Sequence, residues 1–386
     1  HNGLGGYLFD DGRHSYMDAP GVISSATTWE KVESKNLGID FGFLNNALTG
    51  TFDIFQRDTK DMLGPGVDYP DFFGADAPKT NNAEMRNRGW ELALNYRGKI
   101  KSDINYAVGF SISDATAEVT KYANPTGTNP SGDKSWYTGK KVGEIWGYRV
   151  DGLIQTQAEA DEYNQKNLSF LSAATWTPGD VKYRDLNNDG AINNGTNQLG
   201  NMGDMTIIGN TTPRYQYTIN GSIGWKGLNL SLLFQGVGKR DWNPGRADYF
   251  WGWASYAQTT VFKEHLDYWR EDNPNAYYPK PYIHAAGPVG QYQDKNKQTS
   301  DRYVQSAAYC RLKNLTLSYD LPASLLERTG LTKIQVFFSG ENLLTFTKLK
   351  GMFDPEAIFT GSSYSSGDGK NYPMNRVVSC GLVVNF

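Results

Sequence analysis

Cys310 and Cys380 are the only two thiols in this 386-residue sequence. Their spacing offers neither a framework of disulfide bridges nor a metal-binding pattern. Histidine is equally scarce. His1, His14, His265 and His284 stand apart, with no HExxH, no GxSxG and no Cys/His spacing, so the chain reads as no enzyme. An excess of one charge is missing too. Lys and Arg total 38 against 41 Asp and Glu, and a net charge of -3 gives no footprint for nucleic acid. No run approaches the roughly eighteen apolar residues of a membrane helix. The opening HNGLGGYLFDDGR lacks the basic and apolar regions of a signal peptide. In an exported protein, that reads as a mature or truncated N-terminus.

One class of membrane protein survives these absences. In a transmembrane β-barrel only alternate residues face lipid, so bulk hydropathy stays low while Tyr and Trp gather at the two interfaces. The mean hydropathy here is -0.57, yet the chain holds 24 Tyr, 10 Trp and 42 Gly.

The period-two pattern is clearest between Tyr303 and the terminal Phe386. Leu315, Leu317, Tyr319 and Leu321 share one face of a first run, and Ile334, Val336 and Phe338 one face of a second. Val378, Cys380, Leu382, Val384 and Phe386 share a face of the third. Upstream, the same alternation predicts strands at 28–43, 50–63, 89–97, 104–122, 213–225 and from 228 to just past 235. The connections between these nine or so strands alternate short and long. The longest, 123–212 and 240–302, are large insertions, and the first is expected to hold a short helical piece near 157–165. Outer-membrane barrels sort their connections this way, with short periplasmic turns and long extracellular loops. The expected fold is therefore all-β: part of an antiparallel transmembrane β-barrel. An odd strand count that begins in a long loop reads as an incomplete barrel.

Two stretches bear on chemistry. In DLNNDGAIN, Asp185, Asn187, Asp189, the carbonyl of Ala191 and Asn193 follow the alternating oxygens of a calcium loop, with Gly190 at the sharp turn. The twelfth position is Thr196 rather than an acid. The same residues also suit an Asx turn closed by its own hydrogen bonds. The second stretch, DWNPGRADYFWGWASY, gathers Trp242, Tyr249, Phe250, Trp251, Trp253 and Tyr256 in a long loop. These aromatics either face a substrate or partner, or form the core of a loop packed on itself. On the polar strand faces, Glu91, Asn95, Gln216, Asn220 and Asn229 would point into a lumen.

Several pieces together resemble the SusC-like TonB-dependent transporters of Bacteroidetes outer membranes. They include TTWEKVESKNLGIDFGFLNNALTGTFDIFQRDTKDML, NNAEMRNRGWELALNYRGK, VGEIWGYRVDGLIQTQAEADEY and PGDVKYRDLNNDGAIN. DYWREDNPNAYYPKPY, YCRLKNLTLSYDLP, SGENLLTFTKLKGMFDPE and the terminal VNF follow in family order. The resemblance implies the C-terminal portion of a barrel of about 22 strands. The N-terminal plug and the remaining barrel are expected to be absent from this chain. It further implies an outer-membrane location with extracellular loops, a periplasmic C-terminus and outer-membrane lipid around the wall. The implied activity is TonB-driven import of oligosaccharides or oligopeptides, received from a SusD-like surface lipoprotein. It also implies that Asp204, before the GDMTIIG segment, is a displaced acidic ligand of a structural Ca2+. Two other readings fit the residues: a passive porin or adhesin barrel without a plug, and a secreted β-sandwich binding carbohydrate through the Trp-rich loop.

Overall fold

The computed structural model describes residues 2–4, 15–17, 27–64, 78, 80–101, 103–123, 130–131, 136–168, 175–245, 248–252, 261–282, 295–327, 329–358 and 371–386. Strand accounts for 54% of the described residues and helix for 6%, which places the fold in the all-β class. Nine strands form one sheet. They are β1 (Lys31–Phe43), β2 (Leu48–Met62), β3 (Ala83–Ile100), β4 (Ile104–Tyr122) and β5 (Arg214–Trp225), then β6 (Leu228–Lys239), β7 (Tyr309–Asp320), β8 (Lys333–Thr347) and β9 (Val377–Asn385). Each pairs antiparallel with its neighbour in the chain, from β1 at one edge to β9 at the other. Among the described residues the sheet is an open wall.

Turn chemistry fixes its register. Asn45 and Asn46 take φ of 56° and 62° between β1 and β2, and Ala47 N donates to Leu44 O at 3.1 Å. Lys226 and Gly227, at 45° and 87°, join β5 to β6. Two central residues at positive φ match the twist of a tight hairpin, and Asn and Gly tolerate that region best.

That register brings the apolar residues of neighbouring strands into rows. One row runs Ile100, Ile104, Trp225, Leu228, Tyr319, Val336, Leu382, and the next Tyr106, Ile223, Leu230, Leu317, Phe338, Cys380. At the other end the last apolar row is Leu37, Ile54, Trp90. Many of these side chains are exposed, Ile39, Ile223, Trp225, Val336 and Leu382 among them, so the sheet presents an uncovered greasy face. From Trp90 to Ile100 the strand rises about 34 Å at about 3.4 Å per residue. A tilt of about 40° leaves a band about 26 Å tall, close to the apolar band of an outer-membrane barrel. Gly98 and Gly236 lie directly opposite Tyr106 and Tyr217, whose rings occupy the space a Cβ would need. Aromatic cover of a strand glycine of this kind pins register.

The strands run from 9 to 19 residues. The largest difference is β3, expected over 89–97 and found over Ala83–Ile100. Its first six residues carry Glu84, Arg86 and Arg88 on the otherwise apolar side. The alternation therefore stops there while the hydrogen-bonded ladder continues.

Antiparallel succession puts connections 44–47, 101–103, 226–227 and 321–332 at one end of the wall. Connections 63–82, 123–213, 240–308 and 348–376 lie at the other. Connection 123–213 contains α1 (Gln157–Tyr163), capped where Thr156 Oγ1 accepts from Glu159 N at 3.2 Å. Small strand pairs join Glu144–Tyr148 to Met205–Asn210, and Val150–Leu153 to Val181–Tyr183. The two insertions extend to 213 and 308, slightly past the expected 212 and 302.

Candidate functional site

The polar face of the wall carries all five residues expected there. Glu91 and Gln216 flank Ser113 in one cross-strand row, and Asn95 and Asn220 flank Gly109 in another, with Asn229 opposite Gly224. The Asn220 amide fills the space beside Gly109 that a Cβ would take. Towards the short-turn end this face hollows into a cavity of about 730 Å3, lined by Arg97, Lys99, Asn105, Asn229, Ser231 and Ser318 among others. Small hydroxyl and amide side chains here leave room and offer hydrogen bonds, as a polar passage needs. Cys310 and Cys380 are free thiols, the first half-buried and the second exposed.

At the opposite end, three long connections share one core. Tyr148, Ile154, Trp176, Tyr183 and Ile192 come from 123–213. Trp242, Phe250, Trp251, Tyr278 and Tyr303 come from 240–308, and Leu349, Phe353 and Ile358 from 348–376. Trp242 packs its ring 4.8 Å from Phe353 and 6.2 Å from Phe250, and Trp251 lies 4.6 Å from Tyr303. This corrects one reading of the sequence. Trp242 and Phe250 are 0% exposed and Trp251 1%, so these three cannot touch a substrate or partner; they hold the loops together. The side chain of Tyr249, and residues Trp253 and Tyr256, lie outside the described residues.

Charged residues then lock the loops to one another and to the wall. Asp180 is fully buried and accepts from Lys295 Nζ at 2.6 Å, Asn296 Nδ2 at 2.8 Å, Tyr282 Oη at 2.7 Å and Thr177 N at 2.7 Å. Asn296 Oδ1 accepts in turn from Val181 N at 2.9 Å. Burial pushes the Lys295 ammonium below its ordinary pKa despite the facing carboxylate. Arg240 donates to Thr211 O at 3.3 Å and Pro355 O at 3.2 Å, so one side chain staples all three connections. Arg311, on the polar face of β7, reaches Asp354 at 2.7 Å and Glu356 at 3.1 Å. That pulls 348–358 across the polar face. None of these pairs was visible in the sequence. Lys295 lies 115 positions from Asp180, and no local periodicity marks either.

The loop core also predicts an alkaline transition. Burial raises the Tyr148, Tyr163, Tyr183, Tyr278 and Tyr303 phenols above their ordinary pKa. Above about pH 10 the unfolded chain loses these protons while the folded one keeps them, so stability falls as pH rises. Absorbance at 295 nm should show several tyrosines ionising together above pH 10, in step with loss of the near-ultraviolet circular dichroism. A gradual titration centred near pH 10 without structural change would contradict the packing.

The Asp185 loop has the turn geometry expected of it. Gly190 takes φ 81°, and its N–H donates to Asp185 Oδ2 at 3.1 Å. Asn187 Oδ1 accepts from Asp189 N at 3.1 Å, and Asp189 Oδ1 from Ala191 N at 2.8 Å. Asn193 Oδ1 accepts from Gly195 N at 2.6 Å. Asp204 is buried beneath the loop, accepting from Leu186 N at 2.7 Å and Asn193 N at 2.9 Å. It clamps both ends of the loop. Lys166 sits 2.8 Å from Asp185. Burial alone would raise the Asp185 pKa, but Lys166 and the Gly190 N–H outweigh it and lower it. A calcium loop takes six to eight oxygens, usually with a bidentate carboxylate. The hydrogen bonds described close the turn, while Asp185 Oδ1 is buried without a hydrogen-bond partner among the described residues. Asp204→Ala is expected to destabilise the loop by about 1–3 kcal/mol, through two orphaned N–H groups, whereas EDTA should leave the melting temperature unchanged. A fall on chelation would support the calcium reading instead.

With the wall and its loop end described, comparison with known proteins identifies the family. The sequence profile described as TonB dependent receptor-like, beta-barrel matches residues 5–343. The chain belongs to that family. It is 27% identical over 381 residues to TonB-dependent receptor P3 of Formosa agariphila, covering 93% of this chain and 34% of that protein. It is 25% identical over 389 residues to TonB-dependent receptor SusC of Bacteroides thetaiotaomicron, covering 98% and 34%. The solved RagAB peptide importer in its open-open state superposes with a TM-score of 0.69 at 24% identity, over 100% of this chain and 38% of that one. The chain thus spans about a third of the length of the curated relatives it matches, and the SusC-like resemblance read from its motifs is shown.

Proposed function

We propose that this chain forms part of the wall and outer mouth of an active outer-membrane importer. The observation that carries the reading is the two-sided wall. An apolar band about 26 Å tall backs onto a polar face with a hollow, and every long connection lies at one end. In this reading the greasy face meets lipid and the polar face lines the substrate path or meets a plug. The long-loop end is extracellular and the C-terminus periplasmic. Substrates are oligosaccharides or oligopeptides, delivered by a SusD-like surface lipoprotein and admitted when the TonB complex acts on the plug. Support comes from the family match and from relatives named as TonB-dependent receptors and as a peptide importer.

This chain's own residues supply three things. Glu91, Asn95, Gln216 and Asn220 give the inner face its hydrogen-bonding groups. The Asp180–Lys295 and Arg311–Asp354 pairs hold the mouth in one shape. The outward rows keep the wall in the bilayer. Growth on the cognate substrate by cells carrying the full-length gene tests the proposal. Uptake should disappear when TonB is removed. Uptake that persists without TonB would favour a passive porin instead.

A further inference from the structure

We propose that the outward face of β1–β3 holds the phosphate-bearing headgroup of a membrane lipid, between Lys35 and Arg88. The proposal rests on the reading of this face as the lipid-facing wall. The row beyond Leu37, Ile54 and Trp90, on the same side of the sheet, is Lys35, Gln56, Arg88. It therefore sits where the apolar band ends and headgroups begin.

The charge pattern singles out that row. Further from the band, cations on this side are matched by carboxylates: Arg86 with Asp58 at 2.5 Å, Lys60 with Glu33 at 2.7 Å, Lys31 with Asp61 at 3.0 Å and Lys121 with Glu84 at 3.2 Å. In the row against the band there is no carboxylate. Arg88 Nε donates to the neutral Gln56 Oε1 at 2.8 Å, and Lys35 has no ion pair among the described residues. In the next row out, Asp58 is engaged by Arg86 and by Gln56 Nε2, the latter at 2.6 Å. Below the row, the Asp114 carboxylate is taken by Arg214. Both Lys35 and Arg88 are exposed. Two cations without an ion pair among the described residues, at the rim of a lipid-facing surface, complement an anion tethered to acyl chains. Arg presents a planar fork to phosphate, and Lys a mobile point charge. A lipid fits better than a free ion because the site is continuous with the belt that its acyl chains would cover.

The test is native mass spectrometry of the full-length, detergent-solubilised protein in micelles doped with bisphosphorylated lipid A or its dephosphorylated form. The wild type should retain the bisphosphorylated lipid about 25-fold better than Lys35→Gln/Arg88→Gln, about fivefold for each cation. The dephosphorylated lipid should show no such difference. Substituting the ion-paired cations instead, Lys60→Gln/Arg86→Gln, should leave retention unchanged, provided the barrel keeps its heat-modifiable gel mobility. Equal retention by wild type and Lys35→Gln/Arg88→Gln would overturn the proposal. So would displacement by inorganic phosphate at the lipid's own concentration, which would mark a free-anion site. Retention needs no transport. An absent contrast in a protein that still imports removes this site alone, and a clear contrast in one that does not import leaves it standing.

Discussion

Asp180→Asn is expected to loosen the docking of the two largest loops by about 3–5 kcal/mol, because it leaves the Lys295 ammonium buried without a counter-charge. Lys295 is 0% exposed and also donates to the Thr175 carbonyl at 2.7 Å. The Trp176 and Tyr282 rings face it at 5.3 Å and 4.8 Å, which cannot replace a carboxylate. Removing the cation as well should restore much of the loss. Asp180→Asn/Lys295→Met withdraws the unpaired charge and keeps one oxygen for Asn296 and Tyr282, while the amide nitrogen takes the place of the oxygen that faced Thr177 N. A thermodynamic cycle over the two single variants and the double one should give a coupling of about 2 kcal/mol or more. The readout is protease sensitivity of the loops, with the sheet's far-ultraviolet circular dichroism as control. The wall should persist while the mouth opens. Equal resistance in wild type and Asp180→Asn would show that this pair does not hold the loops.

Trp242→Ala is expected to cost about 3–5 kcal/mol by opening a cavity at the centre of the loop core. Trp242 also belongs to a short strand, Asp241–Trp242, paired with Gln305–Ser306. Its loss would free Phe250 and Phe353 together, and with them contacts from two different connections. Trp242→Phe should recover part of the loss by filling some of the space. Near-ultraviolet circular dichroism and thermal melting distinguish this from a binding role. A surface residue that touches a partner would lower affinity and leave the melting temperature alone, whereas Trp242→Ala should lower the melting temperature of the isolated full-length protein.

The wall was legible in the sequence because a half-buried strand writes its structure locally. β4 was bounded at Ile104 and Tyr122, and the shared apolar parity of Leu317, Tyr319, Val336, Phe338 and Leu382 is the parity observed. The first turns of β3 were missed for a physical reason. Glu84, Arg86 and Arg88 stand where the strand has left the apolar band, so its outer side becomes charged without ceasing to be strand. The loop end was the least legible part. Its stability comes from contacts such as Asp180–Lys295 and Arg311–Asp354 that close over long stretches of chain. Composition placed six aromatics in one loop, but only the structure shows that Trp242, Phe250 and Trp251 are interior. In the Asp185 loop the local pattern predicted the turn, while the position of Asp204 beneath it depended on tertiary packing.

The central claim is that the sheet is a wall with lipid on one side and an aqueous path on the other. A nitroxide scan along β3, one position at a time from 90 to 99, in the full-length protein reconstituted into bilayers, tests it most directly. Labels at 90, 92, 94 and 96 should relax faster with oxygen, which concentrates in lipid. Labels at 91, 93, 95 and 97 should respond instead to a water-soluble nickel chelate. A profile with no period of two, or one with water on both sides throughout, would contradict the account.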